Sequence, residues 1–346
     1  MPRPAQNVTT GVHPNYLNRL IEVDAEETPA FSLLPKGDPL SNPIAQYPID
    51  DRDTASKEGV LDNTPTEGAT EEDNYRILES PNHMLDELIS VGKKANTFVD
   101  QAGIGKGKQY LRVLTKKQKA IKTAFDQITC DDAEARLEGV GGKGSETRGM
   151  FRWCQSTAQA VKPVDPLYRT PAGQISTVNH DEFYEETFQG LLNEHHDATG
   201  REGKFTAIAG IFWKQKVSNW TVLDSGDPNF SYIRRFSSDA SQERKVLNAV
   251  VNVLVCDGGR VEVHKSRNLL WERSPSSRRE ISPGKYTGAF SMIGWHEGCA
   301  EYRFGWEPSH EPLAKRGGGE DGHIDMCAAL CCDPTGMIKH VPAALT

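Results

Sequence analysis

Residues 106–138 read KGKQYLRVLTKKQKAIKTAFDQITCDDAEARLE and contain the strongest helical pattern in the chain. Apolar side chains recur there with a period of about 3.6 residues, at Leu111, Leu114, Ile121, Phe125, Ile128 and Ala135. The pattern predicts one amphipathic helix over residues 108–138, roughly 45 Å long because each helical residue adds about 1.5 Å. That length is unusual in a globular domain, so we expect a spine with one buried stripe and a charged outer surface.

The first half of this predicted helix is strongly basic. Residues 106–122 contain seven Lys or Arg residues and no acid, a net charge of +7. Cations at a helix N-terminus oppose the helix dipole, so helix stability does not explain their placement. We expect an acidic partner instead, and the residues expected to meet it are Arg112, Lys116, Lys117, Lys119 and Lys122.

A complementary acidic stretch lies upstream, at residues 50–73. It holds nine acids against two basic residues, a net charge of −7 in a chain whose total is −8. The segment 47–49 runs outward and residues 75–91 return, which predicts a long excursion too polar to pack on its own core. The two stretches therefore predict a self-complementary surface, within one chain or between copies. The acidic residues expected at this contact are Asp50, Asp51, Asp53, Glu58, Glu71, Glu72 and Asp73.

The other segments predict a loop-rich protein of mixed helix and sheet. Residues 1–27 are polar and are expected to form an extended arm, and Thr28, Pro29 and Pro35 bound a short helix. A second amphipathic helix is expected at 180–198, capped by Asn179 and closed by Gly200. The turn DGG at 257–259 predicts a hairpin. Strands are expected at 205–211, 247–256, 260–264, 289–295, 299–306 and 323–332.

Composition excludes several classes of protein. The chain has 346 residues, 37% of them apolar, and can bury a core, whereas its first residues resemble no secretory signal and no apolar run is long enough to span a membrane. We therefore expect a soluble product made in the cytoplasm, without a membrane partner. A pI near 5.7 argues against a dedicated nucleic-acid binder. The seven cysteines lack the spacing of a disulfide scaffold and are expected to be buried or half-buried free thiols.

No residue pattern predicts catalysis, a cofactor or a metal. The segment GIGKGK at 103–108 lacks the first glycine and the Ser or Thr of a phosphate-binding loop. His323, Cys327 and Cys331 would share one face of a strand at steps of about 13 Å, too far apart for one zinc ion. The aromatic residues of the last third are more typical of core or subunit contacts than of a nucleic-acid stacking platform; they are Trp271, Trp295, Tyr302 and Trp306.

The order of these parts resembles the major capsid proteins of tailed double-stranded DNA bacteriophages. Individual motifs strengthen the resemblance, which spans residues 21–341. They are EETPAF at 26–31, YPID at 47–50 followed by EG at 58–59, VVNVLV at 250–255 with DGGRVEV at 257–263, and LAKRGG at 313–318. Arg316 and Gly318 depart from the family pattern in the last of these.

The resemblance implies an α+β capsid fold and a non-enzymatic structural role. Copies would close into an icosahedral shell of hexamers and pentamers around double-stranded DNA, bound without sequence specificity, and would assemble in the host bacterial cytoplasm. Portal, scaffold and cement proteins are the other partners it implies. The implied divisions are an arm (1–44), an extended loop with its strands (45–92), a peripheral domain with the spine helix (93–165), an axial domain (166–285) and returning strands (286–346).

Three alternatives stay open from sequence. The basic stretch could face DNA phosphates instead of a neighbouring extended loop, because each Lys or Arg contact adds to DNA affinity. The shell could be an encapsulin-like nanocompartment that stores an enzyme. A soluble enzyme with a mixed α and β core is the third possibility.

Overall fold

The computed structural model describes residues 28–50, 75–93, 109–220, 222–223, 233–234, 252–256, 258–273, 277–313 and 319–343. The α-helices are α1 (Pro29–Leu33), α2 (Gln109–Thr129), α3 (Met150–Trp153), α4 (Glu185–Thr199) and α5 (Ile211–Asn219). Short 3-10 turns lie at Val140–Gly142, Pro166–Tyr168, Ala172–Gln174, His180–Glu182, Thr287–Phe290 and Pro334–Gly336. Among the helices so described, none has the length and apolar character needed to cross a membrane.

The strands of the described residues form five separate sheets. In chain order they are β1 (Ile44–Ile49), β2 (Arg76–Pro81), β3 (His83–Val91), β4 (Ile175–Ser176), β5 (Lys204–Ala209), β6 (Val222–Leu223), β7 (Ile233–Arg234), β8 (Val253–Cys256), β9 (Gly259–Lys265), β10 (Glu280–Ser282), β11 (Lys285–Tyr286), β12 (Met292–His296), β13 (Ala300–Leu313), β14 (Glu320–Cys332) and β15 (Met337–His340). The largest sheet has the order β4-β15-β12-β5-β9-β8, and a three-stranded sheet has the order β13-β14-β3. Three two-stranded ribbons, β1-β2, β6-β7 and β10-β11, complete the set.

The six-stranded sheet carries a large apolar cluster. Phe205, Ala207 and Ala209 lie on one face of β5, as the period of two in a strand requires, and all three are fully buried. Ile208, on the opposite face, is fully buried too. Helices α4 and α5 contribute the buried Leu192 and Trp213 to the same cluster. The core of the larger part of the molecule is therefore a helix-covered sheet.

The predicted hairpin around residues 257–259 is confirmed. Strands β8 and β9 pair antiparallel, with Cys256 opposite Gly259. Gly259 has a φ of 134°, a region that an L side chain rarely adopts, and an added Cβ would lie 2.6 Å from the Gly203 carbonyl oxygen. The predicted strand extended back to residue 247, and residues 247–251 lie outside the described part of the chain.

The long spine helix is shorter than predicted. Helix α2 ends at Thr129, so its 21 residues span roughly 31 Å rather than about 45 Å. Beyond it, Asp131 accepts the Ala133 N–H at 3.0 Å, a local turn that competes with further helix. Arg136 and Glu146 then form an antiparallel bridge. The apolar period continued to Ala135, but these polar contacts end the helix first.

Other element boundaries also differ from the predicted ones. Helix α4 begins at Glu185 because a 3-10 turn precedes it, and Asn179 makes no side-chain cap at that turn. Gly200 closes α4 as predicted, with φ of 63° and its N–H bonded to the His196 carbonyl. The strand predicted at 205–211 stops at Ala209, because Gly210 is the N-cap of α5, a helix that the sequence did not predict.

The chain divides into two compact units. Among the described residues, unit one comprises 85–93, 109–123, 308–313 and 319–326, and unit two comprises the rest. Within unit one, the Tyr110 hydroxyl lies 2.7 Å from His310 Nε2. Position 322, beside this contact, requires glycine, because a Cβ added to Gly322 would overlap the Tyr110 hydroxyl oxygen.

Within unit two, α1 is anchored through one aromatic side chain. Phe31 packs its ring on Phe125, Tyr302 and Phe304, with centroids about 6 Å apart. The Phe31 N–H also donates to the buried Asp126 carboxylate at 2.9 Å, which accepts Asn268 Nδ2 at 2.8 Å as well. The short helix predicted between Thr28 and Pro35 is thus confirmed over Pro29–Leu33, although the Thr28 side chain makes no cap.

The expectation for the cysteines is confirmed, and a core position is confirmed for two of the four aromatic residues. All seven cysteines are free; six are buried and Cys256 is half-buried. Trp295 and Tyr302 belong to the core, with exposures of 3% and 1%. Trp306 is instead 41% exposed, so it is not a core residue within this chain.

Candidate functional site

The outer surface of α2 presents two exposed cations. Arg112 and Lys116 lie one helical turn apart on the same side of the helix, and both side chains are exposed. Among the residues that the structure describes, neither has an acidic partner within ion-pair distance. Leu111, predicted to lie in the buried stripe, is 55% exposed beside them. We call Arg112 and Lys116 the basic face of α2.

The other predicted basic residues are engaged differently. Lys117 Nζ forms an ion pair with Glu87 Oε2 of the same chain at 2.6 Å. Lys119 and Lys122 are half-buried and also have interaction partners. The buried stripe beneath them is confirmed at Ile121 and Phe125, which are 2% and 0% exposed. The charge that is available on α2 therefore concentrates on the basic face.

The acidic stretch begins at the end of the β1-β2 ribbon. Ile49 pairs with Arg76, so the chain leaves this ribbon after β1 and returns at β2. Asp50 is exposed at that point. The other acids predicted at the contact lie outside the described residues; they are Asp51, Asp53, Glu58, Glu71, Glu72 and Asp73.

Asp50 borders a cleft of about 410 Å³ in unit two. The cleft also contains Arg201, whose Nη1 lies 3.0 Å from Asp333 Oδ2, and Arg303, whose Nε lies 2.6 Å from Glu301 Oε1. Burial, reinforced by the Asp333 charge, raises the pKa of the Cys299 thiol in this cleft to about 12. The thiol is therefore protonated near neutral pH and is not a nucleophile.

Polar side chains of β3 and β14 form a network within unit one that the sequence did not predict. His323 Nε2 lies 2.6 Å from Asp86, and the hydroxyl of Ser90 donates to Asp321 at 2.7 Å. Gly322 and Ile324 alternate with Asp321 and His323 along β14 and are buried, so only one face of this part of the strand reaches solvent. The period-two pattern Asp321, His323, Asp325 was the signal for it. Among the described residues, no such group has the arrangement of a metal site.

Residues 4–336 match the SU10 major capsid protein family. The chain belongs to this family. Its match covers nearly the whole sequence and includes α2, the β1-β2 ribbon, the three-stranded sheet and every strand of the six-stranded sheet except β15. No curated protein matches the chain.

Solved capsid structures share the fold. Mycobacterium phage Bobi matches with a TM-score of 0.58 and 14% identity over 99% of this chain and 100% of that one. The capsid of a native GTA particle matches with a TM-score of 0.57 and 11% identity, covering 99% and 100% of the two chains. The capsid structure of cyanophage P-SCSP1u matches with a TM-score of 0.55 and 14% identity, covering 96% and 93%.

This member of the SU10 family is a phage major capsid protein with the α+β fold of phage capsids. It is a structural protein of the virion shell and not an enzyme, and it assembles with copies of itself. The encapsulin-like alternative and the soluble-enzyme alternative are therefore not favoured.

Proposed function

We propose that copies of this capsid protein close into an icosahedral shell of hexamers and pentamers around packaged double-stranded DNA. In this shell the acidic stretch 50–73 of one copy covers the basic face of α2 of a neighbouring copy. The family assignment supports the shell, and the charge pattern supports the contact. The divisions into arm, extended loop, peripheral domain, axial domain and returning strands, at the boundaries given above, are part of the same proposal.

One observation carries the contact. Arg112 and Lys116 are exposed on a structured helix, and the described part of the chain supplies them with no acid. Lys117, by contrast, already uses Glu87. Opposite charge on two surfaces of a self-assembling protein steers encounter and fixes register, even where each exposed ion pair contributes only about 0–1 kcal/mol. Because every copy in a shell repeats the contact, small pair energies add.

Charge reversal tests the contact. Arg112→Glu combined with Lys116→Glu places two carboxylates against the acidic stretch, so we expect negative-stain microscopy to find few or no shells. Adding Glu71→Lys and Glu72→Lys to the same chain restores opposite charges and is expected to restore shells. Lys285→Glu, an exposed lysine on β11, is the matched control and should assemble normally.

The same variants show whether the basic face contacts the acidic stretch of a neighbouring copy or packaged DNA. Suppose that Arg112→Glu with Lys116→Glu forms shells at normal yield but these shells fail to fill with DNA. The basic face then contacts DNA phosphates, and the proposed contact with the acidic stretch is wrong. Circular dichroism of each variant verifies that the chain has folded. Portal, scaffold and cement proteins belong to the proposal as further partners, and co-purification with assembled shells tests them.

A further inference from the structure

A cavity of about 500 Å³ in unit two is lined by three cationic side chains and one carboxylate. The cations are Arg152, Arg279 and Lys339, and the carboxylate is Asp132. The volume is many times the roughly 30 Å³ that one water molecule occupies in the liquid. The lining thus has an excess of two positive charges in a space large enough for a small anion with its water.

Lys339 is the least expected of these residues. It lies on β15 and is only 8% exposed. Its ammonium donates to the Phe151 carbonyl oxygen at 2.9 Å, and no carboxylate of the described chain lies within ion-pair distance. Burying an ammonium without a counter-charge is costly, because one carbonyl replaces only part of its hydration. The site therefore lacks a negative charge that a bound anion would supply.

Both arginines keep donors for such an anion. Arg152 uses its Nε to reach Glu134 Oε2 at 2.8 Å, and within the described residues its two Nη groups have no hydrogen-bond partner. Arg279 Nη1 lies 3.7 Å from Asp132 Oδ2, beyond hydrogen-bond distance. Ser156 also borders the cavity. Guanidinium groups donate in a fork that matches the oxygens of phosphate, and a lysine adds a point charge.

We propose that this cavity binds a phosphate group, held by Lys339, Arg152 and Arg279. Free inorganic phosphate and a phosphate of nucleic acid share this chemistry. The proposal concerns residues remote in sequence from the basic face of α2 and does not depend on the contact proposed above.

Calorimetric titration of the purified protein with inorganic phosphate, at constant ionic strength set by sodium chloride, tests the site. We expect saturable binding to the wild type and a thermal midpoint that rises with phosphate concentration. Arg279→Gln should bind phosphate at least about tenfold more weakly, the loss expected for one charge-assisted hydrogen bond. Lys339→Met should weaken binding as much or more. Arg260→Gln, which alters an exposed arginine paired with Glu262, is the matched control and should keep wild-type affinity.

Equal phosphate affinity in the wild type and in Arg279→Gln would overturn the proposal. A rise in thermal midpoint that sodium chloride reproduces would overturn it too. Because Lys339 is buried and its variant could fail to fold, the half-exposed Arg279 decides the result on its own. A short DNA duplex identifies the source of the phosphate. If the duplex displaces inorganic phosphate, and Arg279→Gln weakens duplex binding, nucleic acid occupies the site; if the duplex does neither, the site takes free phosphate.

Discussion

Several histidines of this capsid protein are held neutral in its interior. His195 is fully buried, its ring stacks on His296 with centroids 5.8 Å apart, and the edge of Phe205 lies close by. Burial, followed by the nearby His296, lowers the pKa of His195 to about 4. Burial acts in the same direction on His83 and His340, lowering their pKa values to about 4 and about 3. In mild acid each folded copy therefore binds fewer protons at these histidines than its unfolded chain does.

The stability of the fold should therefore fall in mild acid. An unfolded histidine has a pKa of about 6.5, so between about pH 6.5 and pH 4 the unfolded chain binds more protons than the folded one. The free energy of unfolding decreases as pH falls through this window, by up to about 1.4 kcal/mol per pH unit for each such histidine, and is insensitive to these groups above it. Urea unfolding at several pH values measures the slope.

Replacing one buried histidine isolates its contribution to that slope. His195→Gln should reduce the pH dependence between about pH 4 and pH 6.5, although the substitution lowers stability at every pH. An unchanged slope in His195→Gln would show that other groups cause the acid sensitivity.

At the scale of elements, the end of α2 is set by a buried ion-pair clamp. Asp131 is 1% exposed, and Arg273 reaches its two carboxylate oxygens at 2.6 and 3.2 Å. The same guanidinium bonds Glu146 at 3.1 Å and the Thr147 carbonyl at 2.9 Å. Burial raises the pKa of Asp131, and the Arg273 charge opposes that rise. The clamp joins segments 142 residues apart in sequence.

Removing the guanidinium should destabilise unit two strongly. Arg273→Met leaves the buried Asp131 carboxylate without its cation, and breaking a buried pair in this way costs about 3–5 kcal/mol. We expect a clear drop in the urea midpoint of unfolding. Arg279→Met is the matched control, six residues further along the sequence, since the carboxylate partner of Arg279 lies at 3.7 Å and its side chain is 43% exposed. Its effect should stay below about 1 kcal/mol. Similar losses of unfolding free energy in both variants would mean that the ion pair between Arg273 and Asp131 does not cause the destabilisation.

At the scale of the whole molecule, one chain carries the two charge stretches that a shell repeats in every copy. Most of the chain's net charge of −8 lies within residues 50–73, and the basic face of α2 lies on a structured helix. A contact between different surfaces of identical copies closes into rings when its rotation allows. The proposed contact has this form, because an acidic stretch meets a basic helix and not a copy of itself.

Assembly should then weaken with salt. The Debye length is about 10 Å at 0.1 M and about 3 Å at 1 M ionic strength, so exposed charge pairs lose strength over that range. We expect the assembled fraction, measured by sedimentation, to fall as sodium chloride rises from about 0.05 M to about 1 M. Arg112→Gln with Lys116→Gln should assemble less at low salt and depend less on salt. A variant with the wild-type salt dependence would contradict the charge contact.

Much of the fold was predictable because its signals are local. The turn at 257–259, the Pro-bounded helix α1 and the Gly200 helix end each depend on a few adjacent residues with restricted backbone angles. Helix α5 was missed because its nine residues carry only a weak apolar period. The polar face around His323 was missed because residues from two strands complete it.

The sequence by itself determined the charge stretches, the helical period of α2 and the succession of parts typical of a capsid protein. Tertiary structure alone decided where α2 stops and which of its cations are available. Asp131 ends the helix with the help of Arg273, and Glu87 neutralises Lys117 while Arg112 and Lys116 remain exposed. The physical reason is that burial and ion pairing depend on which distant residues fold into contact, whereas periodicity and charge are properties of adjacent residues.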